Sequence, residues 1–196
     1  MKYFYYLLFI QIVWSCGPKE TSEGDGYFDS GAYEKAIVAY SNYLSTKPDH
    51  AKTLYNRGRA YEEIGESEKA KADFEQLIKL DPKYINAYLS LAKIAYSESN
   101  YNQVLHYAGK ATELNENSAQ GHFLSARASH QQGYVKVAME SYNNAISIDK
   151  DFGEAYLYRG ALKVGTNKMR SACEDFKLAQ LLQTAGSDDA ISKYCN

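Results

Sequence analysis

The sequence predicts an all-α fold, a solenoid of about five helical hairpins closed by a short C-terminal helix. Three observations predict it. The chain repeats with a period of 34 residues, as Pro48 and Pro82 show. Small residues recur in register at Gly24, Gly58, Ala92, Ala126 and Gly160, and again at Ala36, Ala70, Val104, Ala138 and Ala172. Two further columns follow: Tyr40, Phe74, Ala108, Tyr142 and Phe176, then Tyr43, Leu77, Ala111, Ala145 and Ala179. A stacked helical repeat presents a surface, so the question becomes which partner it meets rather than which reaction it runs.

The composition is globular, with 45% hydrophobic and 23% charged residues and three prolines in 196. A net charge of −2 provides no basic stripe, so no nucleic-acid partner is expected. The 19 tyrosines suit half-buried packing and a wet binding face equally.

Residues 1–15 read as a lipoprotein signal peptide. Lys2 supplies a short positive region, and Tyr3 to Trp14 is apolar except for Gln11. That run suits a signal core and is too short to span a bilayer as a helix. Val13-Trp14-Ser15-Cys16 resembles the lipobox of bacterial lipoproteins, which implies cleavage before Cys16 and its lipidation. Trp14 is bulkier than the family usually has, and Val13 stands where Leu is commonest. An ordinary secretory signal with a coincidental cysteine is the alternative. Residues 16–26 are expected to form the lipidated Cys and a flexible, Gly-bearing tether. Acylation would anchor the chain without a transmembrane helix. The expected place is the bacterial cell envelope, periplasmic or surface-facing, on the outer membrane.

Export puts the other two cysteines, Cys173 and Cys195, in an oxidising compartment where they are expected to pair. Two buried free thiols are the alternative. No metal site is expected, because two Cys without a nearby His fall short of a tetrahedral set.

The units follow in order. The first, 20–50, has a clear helix-to-helix turn at Gly31-Ala32-Tyr33-Glu34-Lys35-Ala36, but Gly24 and Gly26 make its first helix weak. In the second, 51–84, one helix carries Leu54, Arg57, Gly58 and Tyr61 at helical spacing. Gly65 breaks it, and a second helix runs from Ser67 through Ala70, Phe74, Leu77 and Ile78 to Asp81-Pro82. The third, 85–118, has Ala95 in the aromatic column and Glu116 in place of proline. The fourth, 119–152, has Ser129 and Lys150 there. The fifth, 153–186, keeps Tyr156, Gly160, Ala172, Phe176 and Ala179. Residues 187–196 are too short for another unit and read as a cap, since an open solenoid end exposes apolar surface.

Leu54, Arg57, Gly58, Tyr61, Ala70, Phe74, Leu77 and Pro82 resemble the tetratricopeptide repeat pattern nearly column by column. The resemblance covers roughly Gly24 to Thr184 and implies a right-handed superhelical solenoid. The tail around Cys173 and Lys193-Tyr194-Cys195 resembles the end of bacterial tetratricopeptide lipoproteins, where a disulfide would staple the cap to the last helix. In that family the first helices of the hairpins line a concave groove. The resemblance therefore implies an apolar column of Tyr55, Leu89, Phe123 and Leu157 beside a basic ladder of Arg59, Lys93 and Arg127. Asn56, Glu62, Tyr96 and His130 are its neighbours. An arginine meets a carboxylate bidentately, a lysine only as a point charge. Solvated face residues that came up basic by chance are the competing reading of the ladder. Tetratricopeptide co-chaperones that grip chaperone C-termini use a lysine, two asparagines and a Lys-Arg pair. Of the matching positions only Asn56 fits, the others being Thr21, Asp25, Asn86 and Ser90, so no such clamp is expected.

No phosphate loop, His-Glu-x-x-His motif or nucleophile elbow is present, and His50, His106, His122 and His130 share no ligand-like spacing. No cofactor and no catalytic residues are expected. The leading expectation is a non-enzymatic, envelope-anchored scaffold that binds a peptide or protein segment in its concave groove. A structural subunit of an envelope assembly or secretion complex is the alternative. A hydrolase with a groove active site is the reading of a different class.

Overall fold

The computed structural model describes residues 20–195. The expected signal peptide and Cys16 lie outside the described residues. Those described form eleven helices and no strand: α1 (Glu20–Asp29), α2 (Tyr33–Thr46), α3 (Ala51–Glu63), α4 (Ser67–Leu80), α5 (Ile85–Ser97), α6 (Tyr101–Leu114), α7 (Ala119–Gln131), α8 (Val135–Ile148), α9 (Gly153–Gly165), α10 (Met169–Leu181) and α11 (Ser187–Tyr194). Each odd helix up to α9 pairs with the next to make a hairpin, and each hairpin packs on its neighbour. The result is a helical solenoid.

The sequence columns explain why the hairpins close. Phe74 on α4 lies directly over Gly58 on α3, where a Cβ would come 2.6 Å from its Cε1. Phe176 covers Gly160 in the same way, at 2.5 Å. In the third hairpin both partners are small: Ala92 and Ala108 share one buried cluster with Val104 and Leu124. A large side chain in the first column would push the ring out, which commonly costs roughly 1–3 kcal/mol.

The first hairpin corrects the expected tether. Its opening helix forms, and residues 20–26 belong to α1 rather than to a flexible tether. Propensity loses here to tertiary contact. Gly24 is buried against the Tyr40 ring, so the residue that weakens an isolated helix is the one that lets this one dock. Asp25 completes the seam, accepting hydrogen bonds from Tyr40 Oη at 2.9 Å, Asn56 Nδ2 at 2.8 Å and Lys52 Nζ at 2.9 Å. One carboxylate thereby ties α1 to α2 and α3.

The turns within hairpins repeat as strictly as the columns do. Gly31, Gly65 and Gly133 adopt φ of 74°, 76° and 76° at the same repeat position. In the third and fifth hairpins that left-handed position is held by Ser99, at φ 58°, and Asn167, at φ 59°. Asparagine tolerates this region comparatively well, whereas serine carries a Cβ penalty.

Two buried ion pairs brace the solenoid three repeats apart. Arg57 grips Asp73 with Nε–Oδ2 at 2.8 Å and Nη2–Oδ1 at 2.6 Å, and Asp73 is only 4% exposed. Arg159 grips Asp175 likewise, at 2.9 and 2.7 Å, and Lys163 Nζ adds a contact at 2.8 Å. The remaining guanidinium nitrogen reaches the preceding hairpin in both cases, to Ser41 Oγ at 3.2 Å and Asn143 Oδ1 at 2.8 Å. The third repeat puts Leu91 and Tyr107 at the corresponding positions, and they pack with the apolar cluster instead.

At the far end α11 packs on α10. Cys173 and Cys195 are disulfide-bonded, with Cα atoms 5.6 Å apart. Tyr194 stacks on Phe176 with ring centroids 6.0 Å apart, and Gln180 Nε2 donates to Asp188 Oδ1 at 2.6 Å.

Three outcomes are expected from these contacts. Ser99→Gly relieves a left-handed strain of about 1–2 kcal/mol and loses about 0.5–1 kcal/mol to glycine's extra chain entropy. The melting temperature should rise by roughly 1–2 °C, and a fall would refute the strain assignment. Asp73→Ala leaves Arg57 without its counter-ion and should cost about 3 kcal/mol in urea denaturation. The double change Arg57→Leu, Asp73→Tyr copies the third repeat and should recover most of that loss. If both variants lose the same amount, the loss does not come from leaving Arg57 unpaired.

The third outcome concerns pH. Burial pushes the Asp25 pKa up, but hydrogen bonds from Lys52, Tyr40 and Asn56 outweigh it and hold it below the ordinary value of 3.8. A lowered folded pKa means the unfolded chain binds the proton more readily, so this stabilisation is complete above the unfolded value and fades as pH falls through the folded one. The protection of the α1 amides, taken relative to their intrinsic exchange at each pH, should therefore fall at acid pH in the native chain. In Asp25→Asn that protection should be low already at neutral pH and change less on acidification.

Candidate functional site

The inner wall of the solenoid is made by the first helix of each hairpin. α1 packs on α3, α5 on α7 and α7 on α9, while no two second helices contact each other to that extent. Side chains one helical turn apart on these helices therefore share one face across several hairpins.

The residues expected in the groove fall into three groups by environment. Tyr55, Leu89 and Leu157 are half-buried between hairpins. Tyr55 packs against Phe74 and Tyr84, at centroid distances of 5.8 and 5.3 Å. Phe123 corrects the expected apolar column. It is only 2% exposed, covered by Phe152 at 4.7 Å and Tyr158 at 5.7 Å, so it is core rather than contact surface.

The basic column is not a uniform ladder. Arg59 Nε lies 2.8 Å from Glu62 Oε2 and its Nη2 lies 3.4 Å from Glu63 Oε1. Burial raises the Glu62 pKa against the opposing pull of Arg59 and Lys93, so this carboxylate serves both cations. Lys93 is exposed. Arg127 is different again: its guanidinium carbon lies 3.9 Å from the Tyr96 ring centroid, 4.6 Å from Tyr158 and 5.6 Å from Phe123. His130 faces the Tyr142 ring edge-on at 6.4 Å, and burial lowers its pKa, which keeps it neutral near pH 7. Tyr96 is braced by Tyr101 at 5.6 Å and accepts from Gln131 Nε2 at 3.4 Å.

One end of the inner wall opens into a cavity of about 390 Å³ lined by Asp25, Phe28, Asp29, Tyr40, Tyr55, Asn56 and Arg59. Asn56, the retained clamp position, donates to Asp25 here. That leaves an acid where the chaperone-tail clamp places an asparagine, which repels a ligand carboxylate. The acidic residues of this cavity were not singled out from the sequence as site residues. They sit on α1, whose composition argues against a helix, and only the Tyr40 and Gly24 columns signalled it. Tyr158 was missed as well, because it occupies a column held by Asn56, Ser90 and Leu124 in the other repeats. Among the described residues no three His, Cys, Asp or Glu side chains are grouped to hold a metal ion, and no helix is long and apolar enough to cross a membrane.

Comparison with known proteins agrees with this architecture. A family model described as tetratricopeptide repeat matches residues 51–84 and 119–152, and a second, described as TPR repeat, matches residues 24–65. Among curated relatives, the heat-shock protein cognate co-chaperone sgt12 of Aspergillus fumigatus is 36% identical over 83 residues, covering 42% of this chain and 24% of its own length. The chain spans about a quarter of the length of such relatives. Among solved structures, MamA superposes with a TM-score of 0.73 at 25% identity, covering 87% of this chain and 97% of its own. YrrB, described as a TPR protein with an unusual peptide-binding site, superposes at 0.67 and 19% identity, with 82% of each chain covered. The period, the hairpins, the glycine-on-ring contacts and these likenesses converge: the chain is a tetratricopeptide repeat protein.

Proposed function

We propose that this chain is a non-catalytic protein-binding scaffold, tethered to the bacterial envelope through a lipidated Cys16, whose inner wall receives an extended peptide segment. Tetratricopeptide proteins are typically protein–protein interaction or co-chaperone scaffolds, and a peptide-binding site is described for YrrB. The observation that carries the reading is the inner wall itself. Over α3, α5, α7 and α9 it presents half-buried Tyr55, Leu89, Tyr96, Tyr158 and Leu157 with Lys93 and Arg127 between them. This open face of aromatic rings and cations suits an extended chain better than a small metabolite. The lipid anchor is supported by the apolar run that stops at Cys16.

A second reading has one observation in its favour. Leu181 is 77% exposed and Leu178 41%, at an open depression on α10 beside Glu174 and Lys177. Such a patch at the solenoid's end suits a subunit held edge-on in a larger assembly.

A photo-crosslinking residue at Leu89 or at Leu181, in the full chain in its native cells, separates the two. Groove binding predicts a discrete crosslinked protein from Leu89 and none, or a different one, from Leu181. Crosslinks from Leu181 alone would favour the edge-on assembly. In the same cells Cys16→Ala should abolish palmitate labelling and move the protein from the membrane to the soluble fraction. Retention on the membrane would sink the anchor.

A further inference from the structure

Arg127 is set apart from the other arginines of the odd-numbered helices. Arg57, Arg59 and Arg159 each meet a carboxylate within 2.9 Å. Arg127 makes no ion pair among the described residues; its Nε is buried without a hydrogen-bond partner, as is that of Arg59, which differs in having Glu62 Oε2 2.8 Å away. What it has instead is rings. Tyr96 comes from α5 and Tyr158 from α9, the helices that pack on either side of α7, and Phe123 lies beneath. Three consecutive hairpins thus converge on one guanidinium.

The repeat register shows how this arose. Glu62 stands three residues after Arg59 and also acts on Lys93 in the next hairpin. One repeat on, the Glu62 position is Tyr96, and two repeats on it is His130. Both positions that bring a carboxylate to the earlier cations therefore hold a ring residue in the Arg127 register, and of the two Tyr96 meets the guanidinium. Burial keeps His130 neutral, so it adds no competing charge, and the buried Tyr142 hydroxyl nearby also lacks a partner. Cation–π contacts hold a guanidinium in place without neutralising it. Its free edge is left as a planar fork of donors, the shape that meets a carboxylate with two parallel hydrogen bonds.

Resting on the groove reading above, we propose that Arg127, held between Tyr96 and Tyr158, is the bidentate anion-recognition point of the inner wall. It takes the carboxylate of an acidic side chain or chain terminus of the bound peptide, while the flanking rings take the apolar residues beside it. One guanidinium balances one carboxylate charge and leaves a dianionic phosphate in excess. Arg59 does not share the role, because Glu62 and Glu63 already occupy it.

The test uses the full chain and a displayed library of random decapeptides. Enriched peptides are resynthesised in four forms: unchanged, with each Glu or Asp as its amide, with an amidated C-terminus, and with phosphoserine replacing the acid. The expected result is binding that weakens about tenfold, or about 1.4 kcal/mol, when one carboxylate becomes an amide. The side-chain and terminal forms show which carboxylate is read. Arg127→Gln should remove that dependence, Arg127→Lys should keep a weaker one, and Arg59→Gln should leave it intact. The Arg127 Nε–H nuclear magnetic resonance signal should shift on titration with the unchanged peptide only. Arg127→Lys also serves as the folded control if Arg127→Gln fails to fold. Groove binding indifferent to carboxylates, carboxylate dependence that survives Arg127→Gln, or a tenfold preference for phosphoserine would each overturn the assignment while leaving the groove reading standing. Peptides that perturb only amides away from the odd-numbered helices, or no enrichment at all, would overturn both.

Discussion

The structure depends on one steric constraint, an aromatic ring of the second helix seated on a residue of the first that lacks a bulky side chain. Tyr40 on Gly24, Phe74 on Gly58 and Phe176 on Gly160 are the same contact in three hairpins. Burying such a ring is worth about 2–3 kcal/mol, and the small residue beneath it sets how closely the two helices approach. The contact lies inside the hairpin, so each of these repeats carries its own closing interaction, and the third closes with Ala92 and Ala108 packed beside Val104 and Leu124 instead. The chain then extends by stacking, which is the quasi-one-dimensional logic of solenoids.

Stacking requires a second kind of contact, and here the repeats diverge. The second and fifth use a buried arginine–aspartate pair that also reaches back to the preceding hairpin, through Ser41 and Asn143. The third uses Leu91 and Tyr107. A buried ion pair is no more stabilising than a well-packed apolar pair, but its bidentate geometry admits one relative placement of three helices. The two ends are fixed by other means. Asp25 pins α1 with three hydrogen bonds, and the Cys173–Cys195 bond holds α11 to α10.

The same divergence gives the inner wall its pattern. A column that reads Arg59, Lys93 and Arg127 looks uniform, yet its members have unlike neighbours. Glu62 and Glu63 neutralise the first, the second projects into solvent, and aromatic rings enclose the third. At the α1 end Asp25, Asp29 and Arg59 line the cavity together, with Asp25 already paired to Lys52, whereas over α5 and α7 Lys93 and Arg127 stand without a direct ion pair among the described residues.

What the sequence determined by itself was everything that repeats. The 34-residue period, the small-residue columns and the recurring left-handed turn follow from contacts that the hairpins share, so they leave a periodic trace. The tertiary structure alone decided what does not repeat. It made α1 a helix despite Gly24 and Gly26, since the Tyr40 ring needs the space that glycine leaves. It took Phe123 out of the groove and brought in Tyr158, because Phe152 at the end of the same repeat and Tyr158 from the next hairpin cover that ring. The charge state and neighbours of a side chain depend on residues one repeat away across the stack. A column read along one helix cannot show which carboxylate or which ring stands beside it.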